Sequence, residues 1–287
     1  MTATDAAGNT ASTTASLTVD TAVNATITVD AITVDNILNA AEAGGMVTVT
    51  GAVGGDAKQG DTLTLVVNGV TYTGLVTAGL TYSIDIAGSN LAADATIDAS
   101  VKATDVAGNS TTASTVHTHG VDTTSPAAPT VAITEDINND GKLSLAEIVG
   151  TADVRVTLPG NAIAGDALMV TDGTTTSTFV LTAGQIAAGF VSTAFAPPLD
   201  GGTLTVTATV TDQAGNVSPS ASDTATRDST PPVADPVLAI GTEEQVVPIV
   251  VTLHATDSVP GSGVASFQLS GLPANGTLYT DAAMTIP

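Results

Sequence analysis

Residues 135–147 read Glu-Asp-Ile-Asn-Asn-Asp-Gly-Lys-Leu-Ser-Leu-Ala-Glu. Asp136, Asn138, Asp140, Gly141, Ser144 and Glu147 fall at the first, third, fifth, sixth, ninth and twelfth places of a loop. Carboxylate and amide oxygens at alternate places of a tight loop can face one point. The glycine permits the sharp turn, and Lys142 at the seventh place offers its main-chain carbonyl. Ser144 adds a hydroxyl, directly or through water, and Glu147 adds two carboxylate oxygens. An oxygen-only set of this kind suits a hard cation that takes about six to eight oxygens, which is calcium. The competing reading is a solvated acidic loop.

In helical proteins this spacing joins two helices, but the flanking residues here look like strands. Of the 287 residues, 43% are apolar, mostly Ala, Val, Ile and Leu, so cores can be buried. Thr and Val are β-branched and favour strands. The 28 Gly and 13 Pro cluster with Asn and Asp between apolar runs, as turns require. The expected class is all-β, with length for two or three domains.

Internal repeats dominate the chain. TATDAAGN (2–9), KATDVAGN (102–109) and TVTDQAGN (209–216) are one phrase, with Asp5, Asp105 and Asp212 spaced 100 and 107 residues apart. Acidic hinges follow at 19–22, 121–129 and 227–236, the last two bearing prolines. A unit of about 100 residues is the size of one immunoglobulin-like sandwich. Boundaries are expected in the hinges. Residues 1–20 read as the last strand of one repeat, 21–122 and 123–228 as full repeats, and 229–287 as an incomplete further β-module. The chain thus reads as a piece of something longer. Seven strands are expected in the first full repeat, with Asn68-Gly69 as a two-residue hairpin turn. Asp172-Gly173 is the expected hairpin turn of the second, and 181–189 a short helical turn.

Residues 31–42 form a worn copy of the acidic loop. Asp35 aligns with Asp140, Asn39 with Ser144 and Glu42 with Glu147, but Ala31, Thr33 and Asn36 replace Asp136, Asn138 and Gly141. Asp30 lies just outside. Either calcium is absent there, or Asp5, Asn9 and Asp20 complete the site. The Asp-x-Ala-Gly-Asn phrase makes a tight turn, and its Asp is also a candidate ligand. The expected second-junction pool is Asp105, Asn109, Asp122, Asp136, Asn138, Asp140 and Glu147. The third is Asp212, Asn216 and Asp228, with Glu243, Glu244 or Asp257.

With 28 acidic residues against 5 scattered basic ones, the net charge is −23. Nucleic-acid surfaces need clustered Lys and Arg, so nucleic acid is excluded as a partner. An anionic membrane is repelled, and no apolar run is long enough for a spanning helix. No Cys is present, which removes disulfides and thiolate metal sites. His117 and His119 lie two apart on an expected strand face and lack further zinc ligands, so an exposed strand face is the favoured reading. No nucleophile elbow or phosphate loop occurs, so no enzyme is expected. A carbohydrate- or surface-binding module is the alternative function, with few aromatic residues to build it.

TATDAAGN, VDTTSPAAP, NDGKLSLAE and GDTLTLVVNGVTYTG together resemble the tandem bacterial Ig-like repeats of giant RTX-type adhesins, up to about residue 230. The tail, with LSGLPANGTLYTD (269–281), resembles a cadherin-like or VCBS-like module. The resemblance implies Ig-like antiparallel β-sandwiches in an extended rod, type I secretion and a place at the cell surface. It further implies an extender between a cell-anchored end and a distal ligand-binding end, stiffened by calcium near domain junctions. The expected mechanism is that calcium converts repulsion between carboxylates into links between neighbouring repeats.

Overall fold

A computed structural model describes residues 1–240, 249–258 and 264–268. The chain folds as two compact units. The first holds Met1–Ser125 together with Ala214–Asn216, and the second holds Pro126–Gln213 and the described part of Val217–Pro287. Glu243, Glu244 and the 269–281 stretch lie outside the described residues.

Unit 1 opens with a small exposed hairpin, β1 (Thr2–Thr4) and β2 (Thr10–Ser12), around the Asp5–Asn9 turn. The expected single last strand is therefore two short strands. There follow β3 (Ala25–Ile27), β4 (Ile37–Leu38), α1 (Ala40–Ala43), β5 (Met46–Gly55), β6 (Thr62–Val67) and β7 (Val70–Leu75). The unit continues with β8 (Thr81–Ala87), α2 (Gly88–Ala93), β9 (Thr96–Thr104), β10 (Ser110–Thr118) and β11 (Gly120–Val121). A three-stranded sheet, β3-β5-β8, and a four-stranded sheet, β10-β9-β6-β7, are the two layers of an Ig-like sandwich. β5 and β9 alternate buried and exposed residues along their length, as strands with one face on a core must. Leu63, Leu65, Val67, Ile86, Ile97 and Val101 are among the residues that fill the space between the layers. At Asn68-Gly69 both residues are left-handed, with φ of 50° and 70°, and Val67 pairs Val70. This is the tight hairpin the dipeptide predicts.

Unit 2 repeats the plan. Its strands are β12 (Thr130–Ile133), β13 (Lys142–Ser144), β14 (Ala152–Thr157), β15 (Ala167–Thr171) and β16 (Thr176–Val180). Then come α3 (Ala183–Ala188), β17 (Phe190–Phe195), β18 (Thr203–Thr211), β19 (Ala221–Asp228), β20 (Val233–Ala234) and β21 (Ala255–Thr256). The layers are β12-β14-β17 and β13-β19-β18-β15-β16, around a core that includes Val154, Val156, Leu168, Val170, Val206 and Val210. α3 fulfils the expected helical turn. Thr182 and Gln185 cap it reciprocally, and Gly189 ends it at φ 76°. The Asp172-Gly173 hairpin is longer than expected, because Thr171 pairs Thr176 and four residues intervene. The cause is Asp172, whose Oδ1 accepts from the amides of Thr174 and Thr175 and the Thr174 hydroxyl, closing a wider turn.

In both units the first strand changes sheets. β3 lies in one layer, while β4 pairs parallel with β11, which continues from the last strand. β12 lies in one layer, while β13 pairs parallel with β19. The loops 31–36 and 134–141 are these crossovers. Each therefore sits at the end of its sandwich toward which both the first and the last strand run.

Candidate functional site

The 134–141 crossover is shaped by its own polar side chains. The carboxylate of Asp136, 8% exposed, accepts from the amides of Asp140 (3.0 Å) and Gly141 (2.9 Å). Asn138 Oδ1 also accepts from the Asp140 amide, and its Nδ2 donates to Asp140 Oδ2. Asp140 Oδ1 in turn accepts from the Lys142 amide at 2.8 Å. Gly141 is left-handed, with φ 76°, and its carbonyl accepts from the Thr226 amide. Glu147 folds back, so that its Oε2 accepts from both the amide and the hydroxyl of Ser144. Leu143, fully buried, pins the loop into the core.

The worn loop keeps this frame with different atoms. Asn36 takes the left-handed place of Gly141, with φ 60°, and its carbonyl accepts from the Gly120 amide. Asp35 Oδ1 accepts from the Ile37 amide and the Thr33 hydroxyl, and these bonds hold its pKa below the ordinary carboxylate value. Asn39 and Glu42 cap α1 reciprocally. Asn-Ala-Ala-Glu is thus a capping sequence as well as a ligand spacing, whereas in Ser-Leu-Ala-Glu only the return of Glu147 to the Ser144 amide is kept. That signal was present in the sequence and separates the second half of each loop from the first.

The structure groups the candidate residues differently from the expected pools. Asn109 Nδ2 donates to the carbonyl of Asp20 (3.0 Å), and Asn216 Nδ2 donates to the carbonyl of Asp122 (2.8 Å). The second and third Asp-x-Ala-Gly-Asn turns thus each meet the hinge that opens their own repeat. Asp105 and Asn109 therefore lie with Asp20. The 136–147 loop lies with Asp228, since Ser144 pairs Asp228. Asp122 lies with the 31–42 loop, its amide donating to the Leu38 carbonyl. The reason is strand parity. The turn joins the last two strands, so it must lie at the end opposite the crossover. Asp5 and Asp105 hold their turns by the same bonds, accepting from Asn9 and Asn109 through side chain and main chain, which lower both pKa values. Asp30 is set apart on the sheet, where its Oδ2 accepts from the Thr50 hydroxyl at 2.8 Å. Asp212 is half-buried at the end of β18.

The two histidines do not share an exposed face. β10 ends at Thr118, and His119 turns inward to 7% exposure. There its Nε2 donates to the carbonyl of Leu91 at 3.0 Å, serving the open end of α2. His117 Nε2 meets Asn36 Oδ1 at 3.0 Å.

The donor chemistry of 136–147 fits calcium, being oxygen throughout with a left-handed glycine at the turn. The fit is partial in arrangement. Among the described residues no three His, Cys, Asp or Glu side chains come together as a metal cluster.

Comparison with solved structures shows where this architecture recurs. One relative belongs to a study of host cell surface retention of a 1.5-MDa bacterial ice-binding adhesin. It is 35% identical over 80% of this chain and 73% of its own, with a TM-score of 0.54. The chain belongs to the bacterial Ig-like domains of large surface adhesins. It is a cell-surface sequence on that ground. A Ca2+-stabilized adhesin that helps an Antarctic bacterium reach out and bind ice is 37% identical over 89% of the adhesin chain described here. This chain spans 64% of that relative, with a TM-score of 0.53. A bacterial immunoglobulin-like domain from the M. primoryensis ice-binding adhesin is 50% identical over 35% of this chain and 100% of its own, with a TM-score of 0.34. No protein-family model and no curated protein sequence matches the chain.

Proposed function

We propose that this adhesin segment is a non-catalytic extender, in which calcium stiffens successive Ig-like repeats at 21–122 and 123–228 into a rod. The rod would carry an adhesive end away from a cell exporting it by type I secretion, in the manner of RTX adhesins, and so support adhesion and biofilm growth. The observation that carries this reading is the 136–147 loop, with its oxygen set intact, in a chain 37% identical to an adhesin described as Ca2+-stabilized.

Asp136, Asn138, Asp140, the Lys142 carbonyl, Ser144 and Glu147 would hold the ion. Calcium, when bound, supplies positive charge and links oxygens that otherwise repel. The chain's own residues do the rest. Asp136 and Asp140 fix the loop by accepting main-chain amides, Leu143 anchors it, and β13 ties it to the last strand beside Asp228. Pro126, Pro129, Pro231 and Pro232 narrow the conformations of the hinges.

Small-angle scattering with calcium and then with chelator tests the reading. The expected result is a stiff, extended particle that becomes flexible on chelation. Identical profiles in both conditions would overturn it. Asp140→Ala is expected to remove more of the calcium response than Asp35→Ala.

A further inference from the structure

The three copies of the Asp-x-Ala-Gly-Asn turn differ in what surrounds them. Asn9 is exposed and Asn109 half-buried, but Asn216 is only 3% exposed. Ala7 and Ala107 are exposed, whereas Ala214 is buried. The third copy differs because Ala214–Asn216 is part of unit 1. There the Asn216 side chain bridges two main-chain groups. Its Oδ1 accepts from the Ala40 amide at 2.7 Å, and its Nδ2 donates to the Asp122 carbonyl at 2.8 Å. The turn also packs closely, since a Cβ added to Gly215 would lie 3.3 Å from Asn39 Nδ2.

The Ala40 amide needs this partner. Asn39 Oδ1 accepts from Ala41 and Glu42, which leaves the Ala40 N–H without a bond inside α1. An amide side chain carries an acceptor and a donor in one plane, so it can serve Ala40 and Asp122 together. Aspartate in its place would lose the donor and add charge to a chain already at −23.

We propose that Asn216 is a calcium-independent clasp, an amide that grips main chain at Ala40 and Asp122 and holds the Ala214–Asn216 turn in unit 1. No side-chain carboxylate takes part in these two bonds, so no cation is needed to form them. The clasp would hold this turn in unit 1 whether or not the acidic loops are loaded. It goes beyond the extender reading and rests on that reading only for its purpose.

Amide hydrogen exchange on the full chain, with calcium and with chelator, tests the clasp. In the native chain the Ala40 amide is expected to stay protected after chelation. In Asn216→Ala its exchange should accelerate about tenfold, the loss of one net hydrogen bond, while the amides of β5 hold. Asn109→Ala should leave Ala40 untouched. Ala40→Pro provides a second route if Asn216→Ala does not fold. Proline is well suited to the first position of a helix, and Asn39 before it is already extended, with φ −91° and ψ 177°. That variant removes the donor and should speed exchange at Gly215 and Asn216. Unchanged Ala40 exchange in Asn216→Ala would overturn the proposal. So would loss of Ala40 protection in the native chain on chelation, since calcium would then be holding the turn. A chain that binds no calcium yet protects Ala40 would sink the extender mechanism and leave the clasp standing.

Discussion

Asn36 and Gly141 stand 105 residues apart at the same point of two copies of one crossover. Both are left-handed, and both give their carbonyl to the last strand of their sandwich. Their surroundings then diverge. Gly141 has no side chain, and around it Asp136, Asn138 and Asp140 bond only within the loop. Asn36 reaches out instead. Its Nδ2 donates to the Thr118 carbonyl, and its Oδ1 meets His117 Nε2 and the Ile32 amide. The worn loop is thus tied to neighbouring strands by neutral groups at the point where the filled loop concentrates charge. Loss of the ligand pattern at 31–42 is a change in what holds the loop, from acidic oxygens to protein contacts, on an unchanged frame.

The frame itself can be broken in both copies. Leu38 and Leu143 occupy equivalent places and are both fully buried. Leu38→Ala and Leu143→Ala should each cost about 2–5 kcal/mol by denaturant unfolding, the usual range for a buried leucine. A much smaller cost at one position would mean the two frames are not alike. The next effect should separate the loops. Asp136→Ala leaves the Gly141 amide without its acceptor in a nearly buried place, while the Asp140 amide keeps Asn138, at about 1–3 kcal/mol without any calcium. Native Ala31 already stands at that place in the worn loop, so Ala31→Asp should change stability by less than half a kcal/mol, roughly the size of an ordinary surface substitution. A large gain there with calcium present would show that the worn loop still accepts the ion.

A smaller effect tests the second half of the loops. Asn39 caps α1 with two amides, and Asn39→Ala should cost about 1 kcal/mol. Ser144 makes no such cap. It donates to Glu147, and Ser144→Ala should cost less than Asn39→Ala in calcium-free buffer. The reverse order would show that Ser144 is the more important structural anchor of the two.

The all-β class, the Asn68-Gly69 hairpin and the α3 turn were legible because each rests on local rules: alternation, a left-handed dipeptide and a capping box. The oxygen spacing at 136–147 was legible for the same reason. What escaped was non-local. The sheet change of the first strand decides which end of the sandwich carries the loop, and Asp136 cannot announce a partner about 90 residues later. Strand counting could have supplied it. An even number of reversals places the last turn beside the opening hinge, so Asn109 had to meet Asp20. His119 misled because the strand stops at Thr118 and the alternation that would expose it stops too. The four-residue loop at Asp172 escaped because its side chain competes for the amides that a tighter turn would use.

The smallest expected effect concerns acid. Asp35 has a lowered pKa because the Ile37 amide and then the Thr33 hydroxyl stabilise its charged form. Asp105 is lowered first by the Asn109 side chain. A carboxylate depressed on folding contributes stability that is complete above its unfolded pKa, near 4, and disappears as the pH falls through the folded value. Asp35 is exposed and Asp105 no more than half-buried, so solvent screening keeps each contribution small. Asp35→Asn should therefore flatten the acid limb of the unfolding curve slightly below about pH 4 and leave neutral stability nearly unchanged. Nuclear magnetic resonance titration of the Asp35 carboxyl carbon checks the cause directly. Asn36→Gly should leave that midpoint in place, because the bonds holding Asp35 come from Thr33 and Ile37, whereas Thr33→Val should raise it toward the ordinary value. A midpoint that follows Asn36 instead would mean that the charged residue of the worn loop is governed by its ties to the strands, and that the two loops differ in electrostatics as well as in anchoring.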